Sequence, residues 1–184
     1  MRLRSIPCTL LIMLVAAATL LSQSKMLDNF EKFDASAWAA KDNVQLSVVE
    51  PVDKTRGMAL KTVANFEKFT YAWFRLLKIK AGDLDPAKYS GLSFMAKADT
   101  DPGTAITVTY LDDAKKEIRF IAGVTVSTNW QEFKVPFTAL KKEGTGTAIT
   151  DADLKKAVWI TFSVGKKSAP MVRMMIDDLA LMAK

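Results

Sequence analysis

The sequence predicts an all-β protein, an antiparallel β-sandwich of the jelly-roll type that follows an N-terminal signal helix. Three observations lead to this prediction. Apolar and polar residues alternate with period two along most of the chain after residue 43, which is the pattern of half-buried strands. Clusters of Asp, Pro, Gly and Thr separate the alternating runs, as turns separate consecutive strands. Because only a short helical signal interrupts these runs, a sandwich of many short strands is favoured over a mixed fold.

The first 24 residues have the composition of a signal peptide. Arg2 and Arg4 give a basic start, residues 10–21 are almost entirely apolar or small, and residues 22–24 supply small side chains for cleavage. The apolar run is too short for a comfortable membrane span. We therefore expect export, with residues 25–184 as the mature domain of a secreted or periplasmic protein. The alternative is an uncleaved leader, which would be the chain's one link to a membrane.

The expected mature chain is the size of a single domain and carries a modest positive charge. Cleavage after residue 24 leaves 160 of the 184 residues, enough for one domain with a sizeable core. The net charge falls from +6 to +4, because the leader holds two arginines and no acidic residue. Lysines are scattered and form no dense basic run. Binding to nucleic acid is therefore not expected.

The cysteine and histidine content excludes several kinds of chemistry. Cys8, in the leader, is the only cysteine, and the chain contains no histidine. A serine–histidine triad, a cysteine nucleophile in the mature domain and a zinc site built on His or Cys are all excluded. Carboxylate chemistry and metal sites with oxygen ligands remain possible.

Nine alternating runs are predicted to form strands. They lie at residues 44–49, 58–66, 71–80, 92–98, 105–111, 118–126, 133–137, 158–164 and 172–181. Turn residues at 83–86, 99–103 and 144–146 separate some of these runs, and residues 112–116 are predicted to form a hairpin loop. Thr150 and Asp153 have the spacing of a capping box, which predicts a short helix that continues through residues 154–157.

Alternation also predicts a candidate binding face. It places Tyr71, Trp73 and Arg75 on the polar face of one strand, with Arg119 and Trp159 on the polar faces of two others. Aromatic rings stack on the C–H faces of sugars, and arginine supplies a planar fork of donors for hydroxyl or carboxylate groups. These five residues predict a carbohydrate-binding platform. The alternative is that a loop covers Trp73 or Trp159, which would then belong to the core.

Acidic residues stand at both ends of the expected mature domain. Asp28 and Glu31 lie near its start, and Asp177 and Asp178 interrupt an apolar strand near its end. A buried carboxylate is costly unless something neutralises it. A Ca²⁺ ion held by oxygen atoms from both ends of the chain would do so. The alternative is that these four residues serve as ordinary turn and cap residues.

Four segments of the chain are similar, in order, to motifs of galactose-binding-like carbohydrate-binding domains. They are LDNFE at 27–31, YSGLSFMAK at 89–97, WQEFKVPF at 130–137 and IDDL at 176–179. The chain resembles the family 11 carbohydrate-binding modules and the related domain of complex I intermediate-associated protein 30. The resemblance implies a jelly roll, a structural calcium near the two termini and often a glycan groove on one sheet.

The same resemblance suggests which residues would bind the metal. By motif position, Asp28 or Glu31 and Asp177 or Asp178 would be the calcium ligands, although Asn29 stands where the family often has a second acidic residue. No motif marks the residues of the glycan groove. The predicted platform therefore depends on strand alternation alone.

Three functions are compatible with these observations. The first is a secreted, non-catalytic module that binds a glycan or polysaccharide and is stabilised by calcium. The second is a structural or assembly protein that uses the same fold to bind a partner protein. The third is a small carbohydrate-active enzyme, which is disfavoured because the sequence shows no clear pair of facing carboxylates on the polar strand faces.

Overall fold

The computed structural model describes residues 23–50, 57–166 and 169–184. Most of the predicted leader, residues 1–22, lies outside the described residues, so the structure leaves the leader prediction as it stands. Among the residues that are described, no helix is both long enough and apolar enough to span a membrane.

Within these ranges the chain forms twelve strands, one α-helix and two 3₁₀ turns. The strands are β1 (Lys25–Asp28), β2 (Trp38–Ala40), β3 (Val44–Val49), β4 (Ala59–Asn65), β5 (Tyr71–Leu76), β6 (Tyr89–Ala98), β7 (Gly103–Leu111), β8 (Glu117–Thr125), β9 (Gln131–Pro136), β10 (Lys141–Lys142), β11 (Trp159–Gly165) and β12 (Met171–Ala183). The helix α1 is Asp151–Lys156, and the 3₁₀ turns are Ala35–Ala37 and Phe137–Ala139.

Two antiparallel sheets pack face to face, which confirms the predicted β-sandwich. The first has the order β3-β4-β12-β6-β9, with β1 also paired to β12, and the second has the order β10-β8-β7-β11-β5-β2. Aromatic rings fill the space between them. Phe94 of the first sheet meets Phe162 of the second edge to face at 5.1 Å, and Phe162 stacks on Phe74 at 5.2 Å. Because one face of each sheet is buried against this core, the opposite face of each sheet points outward.

All nine predicted strands are present, eight of them with shifted ends, and three short strands were not predicted. The largest shift is in β5, which ends at Leu76 rather than at residue 80. Leu77 and Lys78 are both exposed and Ile79 is buried, so the alternation loses its phase there. Continued alternation would have buried the Lys78 charge, which is unfavourable, whereas in its exposed position Lys78 pairs with Asp34. The strands β1, β2 and β10 are two to four residues long, which is too short for a periodic signal.

The predicted helix and hairpin loop are confirmed. In α1 the Thr150 hydroxyl accepts from the Asp153 amide at 3.2 Å, and the Asp153 carboxylate accepts from the Thr150 amide at 3.0 Å, which completes the capping box. Between β7 and β8 the Asp112 amide donates to the Lys116 carbonyl at 3.0 Å. Lys115 lies in the left-handed region with φ 63°.

The closing strand β12 contains a β-bulge at two of the predicted metal ligands. Val172, Met174 and Ile176 are buried before the bulge, whereas Leu179 and Leu181 are buried after it. The change from even to odd positions requires one extra residue in the strand. The register shifts between Asp177 and Ala180, and Asp178 has φ 50°. One edge of β12 pairs with β4 before the bulge and with β1 after it.

Candidate functional site

A groove of about 580 Å³ lies on the outer face of the second sheet. One wall is formed by Tyr71, Trp73 and Arg75 of β5, and the opposite wall includes Arg119 of β8 and Glu143, which follows β10. The strands β11 and β7 lie between these walls in the sheet order. The groove therefore follows the direction of the strands, with an aromatic wall on one side and a charged wall on the other.

Small side chains form the floor of the groove. Trp73 pairs with Ser163, and Ser163 pairs with Ala105 on the next strand. Tyr71 pairs with Gly165 in the neighbouring row. Because these floor residues are much smaller than the tryptophan and tyrosine beside them, a ligand in the groove can reach the rings of the wall.

Arg75 organises the aromatic wall rather than standing free for a ligand. Its guanidinium carbon lies 4.9 Å from the centre of the Trp73 ring and 4.4 Å from the centre of the Trp159 ring. Its Nε donates to the Thr161 hydroxyl at 3.2 Å, and its Nη1 donates to Glu117 Oε1 at 3.1 Å. The side chain is only 15% exposed. These contacts hold both indoles and the guanidinium in one fixed arrangement.

Arg119 links two glutamates on the charged wall of the groove. Its Nε lies 3.6 Å from Glu117 Oε2 and 3.3 Å from Glu143 Oε2. With the Arg75–Glu117 pair, two arginines and two glutamates form one network whose formal charges cancel. The network presents charged hydrogen-bonding groups without a net charge, which suits the hydroxyl groups of a neutral ligand.

The structure brings four of the five predicted platform residues to this groove. Tyr71, Trp73, Arg75 and Arg119 line it. Tyr71 is 52% exposed, and Trp73 is half-buried in the groove wall. Trp159 is also half-buried, but it packs on the Arg75 guanidinium and is not part of the groove lining.

Sequence reasoning missed the two glutamates of the groove. Glu117 is the first residue of β8, and Glu143 follows the two-residue strand β10. Glu117 shares the polar face of its strand with Arg119, and alternation was sufficient to find it. Glu143 is different, because its position depends on the pairing of β10 with β8. Two carboxylates that the sequence did not bring together therefore line one groove, each in contact with Arg119.

The predicted calcium ligands lie around the junction of β1, β4 and β12. Asp28 pairs in register with Leu179, beside the bulge. Its Oδ1 accepts from the Phe30 amide at 2.8 Å, and its Oδ2 accepts from Trp38 Nε1 at 2.9 Å. The sequence thus correctly placed the segment that holds Asp28 beside the closing strand β12.

The other three carboxylates are used differently. Glu31 Oε1 accepts from the Met58 amide at 2.6 Å. Asp177 is only 3% exposed, and its Oδ1 accepts from the Asp178 amide at 2.8 Å, whereas Asp178 is exposed. Among the described residues, no three acidic side chains gather closely enough to hold a metal ion. The carboxylates alone do not fit a calcium ion, which would need further oxygen ligands.

No protein-family model and no curated protein matches this chain. Solved structures do match it. The family 11 carbohydrate-binding module of the cellulosomal cellulase Lic26A-Cel5E of Clostridium thermocellum superposes with a TM-score of 0.68 at 16% identity, over 88% of this chain and 95% of that one. The chain has the fold of a family 11 carbohydrate-binding module. The resemblance predicted from the four sequence motifs is thereby confirmed at the level of the fold.

Two further structures show how widely this fold is used. A family 11 module from Clostridium thermocellum in complex with a β-1,3-1,4-mixed-linked tetrasaccharide has a TM-score of 0.66 at 16% identity, over 86% of this chain and 95% of that one. An exo-β-agarase has a TM-score of 0.64 at 14% identity, over 88% of this chain but only 26% of the agarase. In the agarase, this fold is therefore one part of a larger enzyme.

Proposed function

We propose that this chain is a non-catalytic carbohydrate-binding module that binds a neutral glycan chain in the groove of the second sheet. The observation that carries the proposal is the groove itself, with an aromatic wall on one side and a charge-balanced network on the other. Structures with the same fold include a module in complex with an oligosaccharide.

The chemistry of the two walls supports a sugar ligand. The Tyr71 and Trp73 rings offer faces on which the C–H surface of a pyranose stacks. Glu117 and Glu143 accept hydrogen bonds from hydroxyl groups, and Arg119 donates them. Because the network has no net charge, we expect affinity to change little between low and high salt.

Calorimetric titration with a panel of oligosaccharides tests the proposal. The panel includes the mixed-linked β-glucan tetrasaccharide and agarose oligosaccharides. At least one should bind, and Trp73→Ala should weaken that binding by roughly 1–3 kcal/mol, the scale of losing an aromatic anchor. The matched control is Trp130→Ala, which removes a half-buried tryptophan next to the other sheet and should leave the affinity unchanged. A panel without any binder contradicts the proposal.

Hydrolysis is a second candidate, because two glutamates line one groove. An acid catalyst of glycoside hydrolysis needs a protonated carboxyl group, which enzymes obtain in an apolar surrounding. Here Arg119 contacts both Glu117 and Glu143, so the geometry favours binding. Release of reducing ends from a bound oligosaccharide, abolished in both Glu117→Gln and Glu143→Gln, would establish hydrolysis instead.

We also propose that the protein is exported and loses its leader. The support is the basic start, the apolar run and the small residues at 22–24. Protein isolated from its native host should begin near Lys25 by N-terminal sequencing. A product that begins at Met1 contradicts this proposal.

A further inference from the structure

A second cavity of about 380 Å³ lies on the outer side of the first sheet, where its lining includes Gln45 of β3, Val63 of β4 and Met171 of β12. Phe69 and Met171 supply its apolar surface, and Asp42, Asn43 and Glu67 supply polar groups. Phe69 is 37% exposed, although it is a large aromatic residue. The cavity thus combines an accessible ring with hydrogen-bonding groups, as the groove does.

Lys41 contacts one aromatic ring of this cavity and one of the groove. The Lys41 ammonium lies 3.6 Å from the centre of the Tyr71 ring, which lines the groove, and 4.7 Å from the centre of the Phe69 ring, which lines the cavity. It also donates to the Tyr71 carbonyl at 3.4 Å. The two rings are therefore close neighbours on either side of one side chain, and one ring belongs to each concave surface.

The wall of the second cavity contains a buried acceptor that the fold does not use. Asn43 is only 8% exposed, and its Nδ2 donates to the carbonyls of Asn65 at 2.9 Å and Tyr71 at 3.4 Å. Its Oδ1 has no hydrogen-bond partner within the part of the chain that the structure describes. Buried acceptors are normally satisfied, but this oxygen is enclosed, so the acceptor that the cavity offers to a ligand is the exposed Glu67 carboxylate.

The groove directs a long ligand toward this cavity. At one end, the Arg75–Glu117 ion pair reaches across the sheet from β5 to β8. At the other end, the row of paired residues runs from Tyr71 through Gly165 to Gly103, and neither glycine has a side chain to block the way. A glycan longer than the groove therefore leaves it beside Tyr71, next to Lys41 and Phe69.

We propose that the cavity beside Phe69 is a second subsite for the same glycan, so that the protein prefers long chains that bend around the end of the sandwich. This inference rests on the proposed function. The chain stacks on Trp73 and Tyr71 in the groove, passes over Lys41, and places a further sugar against Phe69. Glu67 accepts its hydroxyl groups.

Chain-length dependence tests the second subsite. The probes are tetrasaccharides and octasaccharides of mixed-linked β-glucan and of agarose, titrated by calorimetry. For the glycan that binds, the octasaccharide should bind at least about tenfold more tightly than the tetrasaccharide, which corresponds to about 1.4 kcal/mol. Phe69→Ala should remove that gain and leave tetrasaccharide affinity unchanged. Met26→Ala, which truncates an exposed apolar residue on β1, should change neither.

The outcomes separate the two proposals. If Trp73→Ala weakens both chain lengths but wild-type protein binds them equally, the glycan groove stands and the second subsite is overturned. The same holds if the gain for the octasaccharide persists in Phe69→Ala, with folding checked by circular dichroism. If no probe binds wild-type protein, both the proposed function and the second subsite are overturned.

Discussion

Arg75 shows, at the scale of single residues, how the wall of the groove is fixed. One guanidinium contacts Trp73, Trp159 and Glu117 at the same time. The sequence predicted that Arg75 lies on the polar face of its strand, but it did not predict these contacts. Contacts with other strands depend on the order of the strands in the sheet. The prediction that Arg75 serves the ligand directly stays open, whereas its role in holding the two indoles follows from the distances.

Arg75→Lys tests this positioning role. Lysine keeps the charge but loses the planar fork that reaches Thr161 and Glu117 together. We expect the free energy of unfolding to fall by about 1–3 kcal/mol, the scale of losing charge-assisted hydrogen bonds at a partly buried site. Urea denaturation measures this, and tryptophan emission of the folded variant should shift as the indoles lose their neighbour.

The control for Arg75→Lys is Arg173→Lys on the other sheet. Arg173 is exposed and pairs with Asp99 at 3.1 Å, so we expect a change of at most about 1 kcal/mol. Equal effects of the two substitutions would contradict the positioning role of Arg75.

At the scale of elements, periodicity predicted the long strands well and the irregular features poorly. The strand at residues 44–49 was predicted with its observed bounds. The bulge in β12 was not predicted, because the acidic pair at 177–178 reads as an interruption of an apolar strand rather than as an inserted residue. The short strands β1, β2 and β10 exist only because longer neighbours supply their hydrogen bonds.

The loop between β7 and β8 supports a prediction about backbone strain. Lys115 has φ 63°, a conformation that costs a residue with a side chain roughly 1–2 kcal/mol and glycine much less. Lys115→Gly should therefore raise the free energy of unfolding, by up to about 1 kcal/mol once the greater freedom of glycine in the unfolded chain is included. Thermal and urea unfolding measure the change.

The matched control in this loop is Lys116→Gly. Lys116 is not among the residues with positive φ, so glycine there should only increase the entropy of the unfolded chain and lower stability. A loss of stability in Lys115→Gly similar to that in Lys116→Gly would contradict the strain argument.

At the scale of the whole molecule, the sequence was sufficient to predict the sandwich but only part of its candidate site. Alternation assigns Tyr71, Trp73 and Arg75 to one outer face, because this assignment uses only the residues of a single strand. The groove also needs Glu143 and the small floor residues Ser163 and Ala105, and these come together only through the order of the strands in the sheet. Long-range pairing of this kind leaves no local pattern in a single sequence.

Calcium remains a prediction at this scale, because it concerns how the two ends of the chain are held together. If the ion binds only the folded state, it stabilises that state by about 2.7 kcal/mol at a hundredfold excess over its Kd. The melting temperature of protein prepared without metal should then rise when Ca²⁺ is added. It should fall back to the metal-free value when a chelator is added. Asp177→Ala should abolish the response, and Mg²⁺ at equal concentration controls for ionic strength. An unchanged melting temperature would exclude the site.

The central claim is that a glycan lies in the groove of the second sheet, and mapping by NMR tests it most directly. The oligosaccharide that binds in calorimetry is titrated into labelled protein, and amide and indole shifts are followed. The account predicts that the largest changes cluster at Tyr71, Trp73, Ser163 and Ala105, with small changes on strands β6 and β9 of the first sheet. Saturable changes that leave these groove residues unmoved and cluster on the first sheet would contradict it.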